Sequence, residues 1–414
     1  MIKKISFKKN TGRPVTVRKL MGITLAVFLA FSVLCTAVYL ISGTIKSPAA
    51  AFFESVSAFT TTGTTVFEDV STFPVWLKIF RAFCQWLGGV SAILFFACLS
   101  GNAETWNESD SPVLQIGPRF TKAAKKLICS YCILTVIQII LLFLCRCTPL
   151  DAVCLSLSGI STGGFSTGMQ IGGMAEVIIF LFMILTMINY TIFYHAAAGH
   201  KDKFEKNTEL SALLWIIVGG CLIVSADLLI SGTYGLRESL EHGFFQTVSS
   251  MSTTGYMAAD VSKWPSLAKT ILTALSFIGG SSLSAASGIR VIRLVVILKI
   301  LSRSFTVRIH PKAVVSPNVN GKQLNRESAS AISSFFLTYI AIYLLGVFVI
   351  SFESGNFISC FELSAALINN SGFCASGAVS ISAFGPVLQI LMSFLMIAGR
   401  LELYTVLIPF SRDN

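Results

Sequence analysis

The sequence predicts an all-α membrane protein in which one chain carries four M1–P-loop–M2 repeats, each a helix, a re-entrant half-helix and a second helix. Three observations predict it. Of 414 residues, 54% are hydrophobic and only 12% charged, with a mean hydropathy of +0.75, whereas a soluble protein carries about 25% charged residues. Long apolar runs alternate with short ones, and an apolar stretch of about 10–14 residues is too short to span a bilayer. Each short run ends in a similar tripeptide: Thr61-Thr62-Gly63, Thr162-Gly163-Gly164, Thr253-Thr254-Gly255 and Asn370-Ser371-Gly372. The long apolar runs exclude an outer-membrane barrel, whose strands alternate every second residue.

Taken in order, first helices are expected at 20–43, 123–145, 209–231 and 328–351. Half-helices are expected at 49–60, 150–161, 239–252 and 358–369, and second helices at 75–100, 173–198, 264–302 and 385–410. That makes eight transmembrane helices and four re-entrant half-helices. The chain then divides into a basic N-terminus, 1–19, and repeats over 20–100, 101–200, 201–302 and 303–414. The run 20–43 reaches about 36 Å as a helix, too long for the core of a signal peptide, and Ser47-Pro48-Ala49 is a poor cleavage site. Non-helical backbone at membrane depth is tolerated only where it is buried in protein or lines water. Four such breaks imply a shared aqueous axis, a pseudo-tetrameric pore.

The register extends beyond the tripeptides. At equal distance past the four glycines lie Gly88, Asn189, Gly280 and Ile397, a level where broken or polar helices are expected. The segment 264–302 is about 58 Å long if helical, nearly twice a bilayer core. Its middle, Gly279-Gly280-Ser281-Ser282-Leu283-Ser284-Ala285-Ala286-Ser287-Gly288, is a weak helix former. An unwound loop is expected there; the alternative is a close helix contact through small residues.

The net charge is +11. Lys3, Lys4, Lys8, Lys9, Arg13, Arg18 and Lys19 precede the first apolar run. Further clusters are Lys122, Lys125 and Lys126; Lys201, Lys203 and Lys206; and Arg303, Arg308, Lys312, Lys322 and Arg326. These fall in alternate loops, as the positive-inside rule requires, while the intervening loops hold Glu68, Asp69, Glu176, Asp260 and Glu353. Both termini are therefore expected in the cytoplasm. The basic excess is a topology signal with membrane lipids as incidental partners, and no nucleic acid is expected.

The eleven cysteines give no metal signal: Cys35, Cys84, Cys98 and Cys221 lie in apolar runs, and the Cys129/Cys132 pair has no nearby His. Inert buried thiols are the expectation. No Ser–His, paired-Asp or His-Glu-x-x-His set lies at membrane depth; His195 and His200 read as interfacial. The chain is not expected to be an enzyme, and no cofactor is expected.

A Thr-x-Gly-aromatic loop inside a membrane has a physical use. Its carbonyls turn inward and replace the hydration shell of a potassium ion, at backbone angles that glycine reaches cheaply. Three of the glycines precede an aromatic residue: Phe165, Tyr256 and Phe373. The half-helix ends just before each loop and points its partial negative charge at a cation. The ion-binding filter is expected at Thr62, Gly63, Gly163, Gly164, Thr254, Gly255, Ser371 and Gly372, with potassium as the ion bound and carried.

Arg400 falls mid-run in the last helix. An arginine at membrane depth faces a cavity or a partner; in a pore it repels cations. The alternative is a helix-end arginine paired with Glu402 or a lipid phosphate. A gate is expected from Gly279, Gly280, Ser281, Ser284, Gly288 and Arg400. Arg290 and Arg293 read as a cytoplasmic-end pair because a basic loop follows, and Asp227 as a polar contact between helices.

Several stretches in this order and spacing resemble the Trk–Ktr–HKT superfamily of potassium transporters over nearly the whole chain. They are Ser57-Ala58-Phe59-Thr60-Thr61-Thr62-Gly63-Thr64-Thr65, Gln85-Trp86-Leu87-Gly88-Gly89, Ser161-Thr162-Gly163-Gly164-Phe165-Ser166-Thr167, Gly288-Ile289-Arg290-Val291-Ile292-Arg293, His310-Pro311 and Gly399-Arg400-Leu401-Glu402. The last resembles the Trk type. The resemblance implies potassium uptake across the bacterial cytoplasmic (inner) membrane and a homodimer with one pore per chain. It also implies a cytoplasmic nucleotide-binding ring as regulatory partner. The chain has no Gly-rich dinucleotide fingerprint, so that ring would be a separate protein.

The resemblance also assigns Arg400 to the gate region. Gly63 stands where Ser accompanies sodium permeation in plant relatives. The chain is short for a bacterial Trk subunit, and the extra N-terminal hairpin of that type is not expected. Two stretches depart from the family pattern: Asn369-Asn370-Ser371-Gly372-Phe373-Cys374, where Gly and Pro are usual, and Ser284-Ala285-Ala286-Ser287, where more Gly is usual. A sodium-permeable or weakly selective member is one alternative. A secondary transporter with sites at broken helices is another, although its repeats would be inverted rather than alike.

Overall fold

The computed structural model describes residues 17–67, 69–99, 118–169, 171–197, 207–310, 318–319, 322–324, 326–377 and 380–407. The side chains of the N-terminal basic cluster through Lys19, and those of Glu68, Cys98, Lys122, His195, His200, Lys201, Lys203, Lys206, Lys312, Lys322 and Arg326, lie outside the described residues.

Along the chain come α1 (Val17–Ile41), the short α2 (Pro48–Phe59) and α3 (Val75–Leu99). They are followed by α4 (Pro118–Leu144), the short α5 (Pro149–Ile160) and a helix divided into α6 (Met174–Met187) and α7 (Tyr190–Ala197). Next are α8 (Thr208–Ile230), α9 (Leu236–Met251) and a second divided helix, α10 (Ser266–Ile278) and α11 (Val291–Ile309). The chain closes with α12 (Arg326–Ser351), the short α13 (Phe357–Ile368), α14 (Pro386–Arg400) and α15 (Leu403–Leu407). Among the described residues, one short strand pair stands between α11 and α12. Asn318–Val319 (β1) pairs antiparallel with Lys322–Gln323 (β2), flanking an Asn-Gly dipeptide of the kind that favours two-residue hairpins.

Among the described residues, five helical stretches are long and apolar enough to cross a membrane: Met21–Ile41, Val75–Phe95, Ala124–Leu144, Thr208–Ile230 and Glu327–Ser351. Their outer faces expose Val27, Leu34, Val136, Phe143, Trp215, Leu222, Leu337 and Phe348. Apolar residues this numerous on the outside are the surface of a membrane protein. The short helices are the reverse. At twelve residues, α2, α5 and α13 reach about 18 Å each and fall short of a bilayer core. In α2 every residue except Pro48 and Phe52 is buried. Ser47, Thr148 and Asn356 cap the starts of these three helices with side-chain oxygens, and Pro48 and Pro149 occupy first positions where a missing N–H costs nothing.

The helices close into a ring. Each second helix packs on the next short helix: α3 on α5, α6 on α9, α10 on α13, and α14 back on α2. The short helices therefore surround a centre, and α1, α4, α8 and α12 stand outside them. Asp227 joins α8 to α10 by accepting from the Ala268 N–H at 2.9 Å, a contact between helices as expected.

Breaks occur in three of the second helices: at Ile188–Asn189, across 279–290, and at Leu401–Glu402. The last lies past Ile397, which stays inside α14. The first second helix corrects the expectation, since α3 runs unbroken through Gly88. Gly88 and Gly89 are used for close approach instead. A Cβ on Gly88 would fall on the carbonyl oxygen of Phe59, and one on Gly89 would lie 2.5 Å from Tyr131 Oη.

A buried ion pair ties α2 to α3. Arg81 Nε and Nη2 donate to Glu54 Oε1 at 2.9 and 2.7 Å, and neither side chain is more than 3% exposed. Glu54 also accepts from Thr65 Oγ1 and the Val66 N–H, and the guanidinium lies 3.8 Å over the Phe165 ring. Removing one partner leaves an uncompensated buried charge, which costs about 3–5 kcal/mol. Arg81→Met is therefore expected to destabilise the detergent-solubilised protein by about that amount, and adding Glu54→Gln to recover part of it. Thermal unfolding of both variants is the check.

Candidate cation-binding site

The four tripeptides end the four short helices in one shared turn. Thr62, Gly163, Thr254 and Ser371 each donate an N–H five residues back, to Ser57, Ser158, Ser249 and Ala366, at 2.8–3.1 Å. The residue before each donates three back, to Ala58, Gly159, Ser250 and Leu367. This pair of bonds is a Schellman cap, which normally places glycine in the left-handed region. Here Thr61, Thr162 and Thr253 hold φ 56° and Asn370 φ 52°. A β-branched residue there is an outlier, costing about 1–2 kcal/mol. Two residues on, Gly63, Gly164, Gly255 and Gly372 are left-handed again, at φ 83°, 69°, 76° and 59°. The residue between each pair is not left-handed. Alternating handedness aims successive carbonyls the same way.

The turns meet one another in a closed cycle. A Cβ on Gly63 would fall on the Gly163 carbonyl oxygen, and one on Gly164 on that of Thr254. One on Gly255 would fall on the Ser371 oxygen, and one on Gly372 on that of Thr62. All eight expected filter residues are thus brought together, with four carbonyl oxygens packed against four glycines. Thr62, Thr254 and Ser371 are fully buried. The aromatic residues that follow reach back to earlier elements. Tyr256 Oη donates to the Leu155 carbonyl at 3.1 Å, Phe165 lies under Arg81, and Phe373 packs with Val224, Val261, Trp264 and Leu272.

The expected gate residues form a compact loop beside two of the turns. Gly279 and Gly288, at φ 69° and 88°, open and close it. A Cβ on Gly279 would fall on the Ser287 oxygen, so the ends of the loop touch. Ser281 N–H donates to the Met187 carbonyl at 2.9 Å, using an acceptor that the α6 break sets free, and Ala285 N–H donates to Thr186. Ser284 Oγ bonds the Ser281 carbonyl at 2.7 Å, and a Cβ on Gly280 would lie 2.8 Å from Ser284 Oγ and 2.8 Å from the Ala286 Cβ. Toward the turns, Thr162 Oγ1 donates to the Ala285 carbonyl at 3.1 Å, and Ser287 N–H donates to Thr253 Oγ1 at 3.0 Å.

Arg400, 1% exposed, donates through Nη1 to the Ala285 carbonyl at 2.9 Å and to Ser287 Oγ at 2.6 Å. Its Nε and Nη2 are buried with no partner among the described residues. Arg400 does not pair with Glu402; that carboxylate binds Arg293. Arg290 corrects the expectation of a cytoplasmic-end pair. It is 3% exposed, holds φ 77°, and donates through Nη1 to the Ser281 carbonyl at 3.0 Å and to that of Ser282. It clamps the loop from inside.

Sequence reasoning named the left-handed Thr61, Thr162, Thr253 and Asn370 only as the first members of the tripeptides and gave them no role, whereas Thr162 and Thr253 bond the loop. Asn370 Nδ2 bridges Thr62 Oγ1 at 3.0 Å and the Met396 carbonyl at 2.9 Å. The signal was their fixed place one residue before each middle position.

Residues 2–414 match the TrkH family of cation transport proteins. The Trk system potassium uptake protein TrkG of Escherichia coli is 30% identical over 376 residues, 87% of this chain and 78% of that protein. TrkH of Vibrio parahaemolyticus is 30% identical over 378 residues, 86% of this chain and 78% of its own. The crystal structure of the potassium transporter TrkH from Vibrio parahaemolyticus superposes with a TM-score of 0.88 at 28% identity, covering 96% of this chain and 86% of that one.

The cycle of turns carries its own prediction. Gly164→Ala adds left-handed strain, about 1–3 kcal/mol, and a collision with the Thr254 carbonyl. A methyl group on Gly219 in α8 would meet nothing within 4 Å, and alanine there gains up to about 1 kcal/mol of helix propensity. A lower melting temperature for Gly164→Ala, and an unchanged or raised one for Gly219→Ala, is the expected pair of results.

Proposed function

The chain belongs to the TrkH family of cation transport proteins, and from that premise we propose that it takes up potassium across the bacterial cytoplasmic membrane through a carbonyl filter formed by one chain. The cycle of four turns is the observation that carries this reading. Four carbonyl oxygens held beside four left-handed glycines suit a dehydrated monovalent cation, because they replace its hydration shell at fixed positions. The short helices end at the turns and add partial negative charge. Thr62, Gly63, Gly163, Gly164, Thr254, Gly255, Ser371 and Gly372 form the filter, with potassium as substrate. In this reading the chain is four repeats, 20–100, 101–200, 201–302 and 303–414, with eight spanning helices, four re-entrant ones and both termini cytoplasmic. Transport needs no covalent step, and the protein is no enzyme.

The loop of Gly279, Gly280, Ser281, Ser284 and Gly288, with Arg400, is the gate. Its bonds to Thr162, Thr253 and Arg400 support a closed arrangement under the filter. Opening requires those bonds to break and the arginine's charge to be screened or moved. The protein works as a homodimer and with a separate cytoplasmic nucleotide-binding ring that supplies the opening energy. Support for the ring comes from the relatives, which are named as parts of a Trk system.

Purified protein in liposomes tests this directly, with potassium, rubidium, sodium and lithium fluxes compared. Potassium and rubidium are expected to pass well ahead of sodium and lithium. Gly63→Ser is expected to raise the sodium share several-fold, and Gly255→Asp to abolish potassium flux. Arg400→Ala is expected to raise basal flux about tenfold, a barrier change of about 1.4 kcal/mol, and to weaken dependence on the regulatory partner. Wild-type potassium flux and selectivity in Gly255→Asp would sink the filter; wild-type basal flux in Arg400→Ala would make the arginine an anchor only.

A further inference from the structure

One of the four turns lacks a side chain at its middle position. Gly163 stands where the others carry Thr62, Thr254 and Ser371. The space is filled from the neighbouring wall by Gln85 of α3, which is fully buried. A Cβ on Gly163 would fall on the Gln85 amide carbon, with Oε1 at 2.5 Å and Nε2 at 2.7 Å. Gln85 Nε2 donates to the Gly163 carbonyl at 2.7 Å, and Ser158 Oγ donates to Gln85 Oε1 at 2.6 Å. A carbonyl only accepts, so the amide nitrogen must be the end that faces it.

The equivalent serines behave differently. Ser57 and Ser249 donate to the carbonyls just past the glycine, those of Thr64 and Tyr256, whereas Ser158 is turned to the glutamine. The other carbonyls of the cycle, of Thr62, Thr254 and Ser371, receive no side-chain donor among the described residues. The ring is therefore unequal at one position.

Resting on the filter reading above, we propose that Gln85 is a positioning residue that sets ion selectivity by holding the Gly163 carbonyl. A carbonyl oxygen has two lone pairs. The amide occupies one and leaves the other for the ion. A carbonyl held in this way resists closing in around a smaller ion such as sodium, so loss of the bond relaxes selectivity before it blocks conduction.

The test is a set of variants assayed for potassium and sodium flux in liposomes, with thermal unfolding to establish that each is folded. Gln85→Met keeps the length and loses the donor; about a tenfold rise in the sodium-to-potassium ratio is expected. Gln85→Glu regains a donor only when protonated, so its ratio is expected to fall toward wild type as pH is lowered, which mere space-filling does not produce. Gly163→Ser collides with the amide and is expected to lose at least tenfold in potassium flux. Adding Gln85→Ala to it opens the space and is expected to restore most of that loss. Should one glutamine variant fail to fold, the selectivity of the other still decides the matter. Wild-type selectivity in the folded glutamine variants overturns the proposal, and rescue in the double variant then leaves Gln85 as a space-filler only. Wild-type flux and selectivity in Gly163→Ser and Gly255→Asp would instead overturn the filter reading, whatever Gln85 does.

Discussion

Four carbonyl oxygens stand where four Cβ atoms would otherwise be, and the rest of the chain is arranged to keep them there. The oxygens of Gly163, Thr254, Ser371 and Thr62 press on Gly63, Gly164, Gly255 and Gly372 in turn. Closure of that cycle fixes the direction of each short helix. It fixes also which second helix packs on which short helix, since α14 must return to α2 for the fourth contact to meet the first. Backbone polar groups at membrane depth must be satisfied inside the protein or by what the protein encloses. The Schellman bonds use the N–H groups of the turns and leave these carbonyls pointing at one another's glycines. A carbonyl so placed is costly when bare, and a cation or water offsets that cost.

The backbone is shared among the turns, but the side chains that hold it are not. The segment after the first turn is anchored by Glu54, which Arg81 neutralises. The third is held at the Tyr256 carbonyl by Ser249 and Gln246. The fourth is held by Glu362, which accepts from Ser376 N–H and Oγ and has no basic partner among the described residues. Geometry that persists while its supports vary points to the backbone as the working part.

Helices, their order and the glycine turns were legible because each is a local signal. Apolar run length separates α1 from α2, and the poor helix formers between Gly279 and Gly288 mark the gap between α10 and α11. What was hidden depends on long-range contact. Gly88 reads like the other weak points, yet α3 stays helical because the Phe59 carbonyl needs the space beside it. Arg290 reads as a cytoplasmic residue because basic residues follow it, but its positive φ turns it back onto Ser281 and Ser282. Left-handed threonines are not predicted by any propensity. They are tolerated because the helix end fixes them on one side and the loop takes up two of them, Thr162 and Thr253, on the other. Gln85 was visible only as part of a motif, since its partner lies 78 residues away.

In the proposed gate, Arg400 opposes a cation in two ways that depend on each other. Its bonds to the Ala285 carbonyl and Ser287 Oγ are charge-assisted, about 1.5–3 kcal/mol each, against roughly 1 kcal/mol for the neutral bonds from Thr162 and to Thr253. With Arg290, which holds the Ser281 and Ser282 carbonyls, it is one of two charged tethers on the loop in the proposed closed state, and the one that joins the loop to α14. Its charge is also least screened in that state, because the loop excludes water and the Coulomb energy of a pair rises as the effective dielectric falls. Displacing the loop removes the tether and admits water together. The electrostatic barrier then falls without the arginine having to leave, and a single loop movement is enough to lower both obstacles.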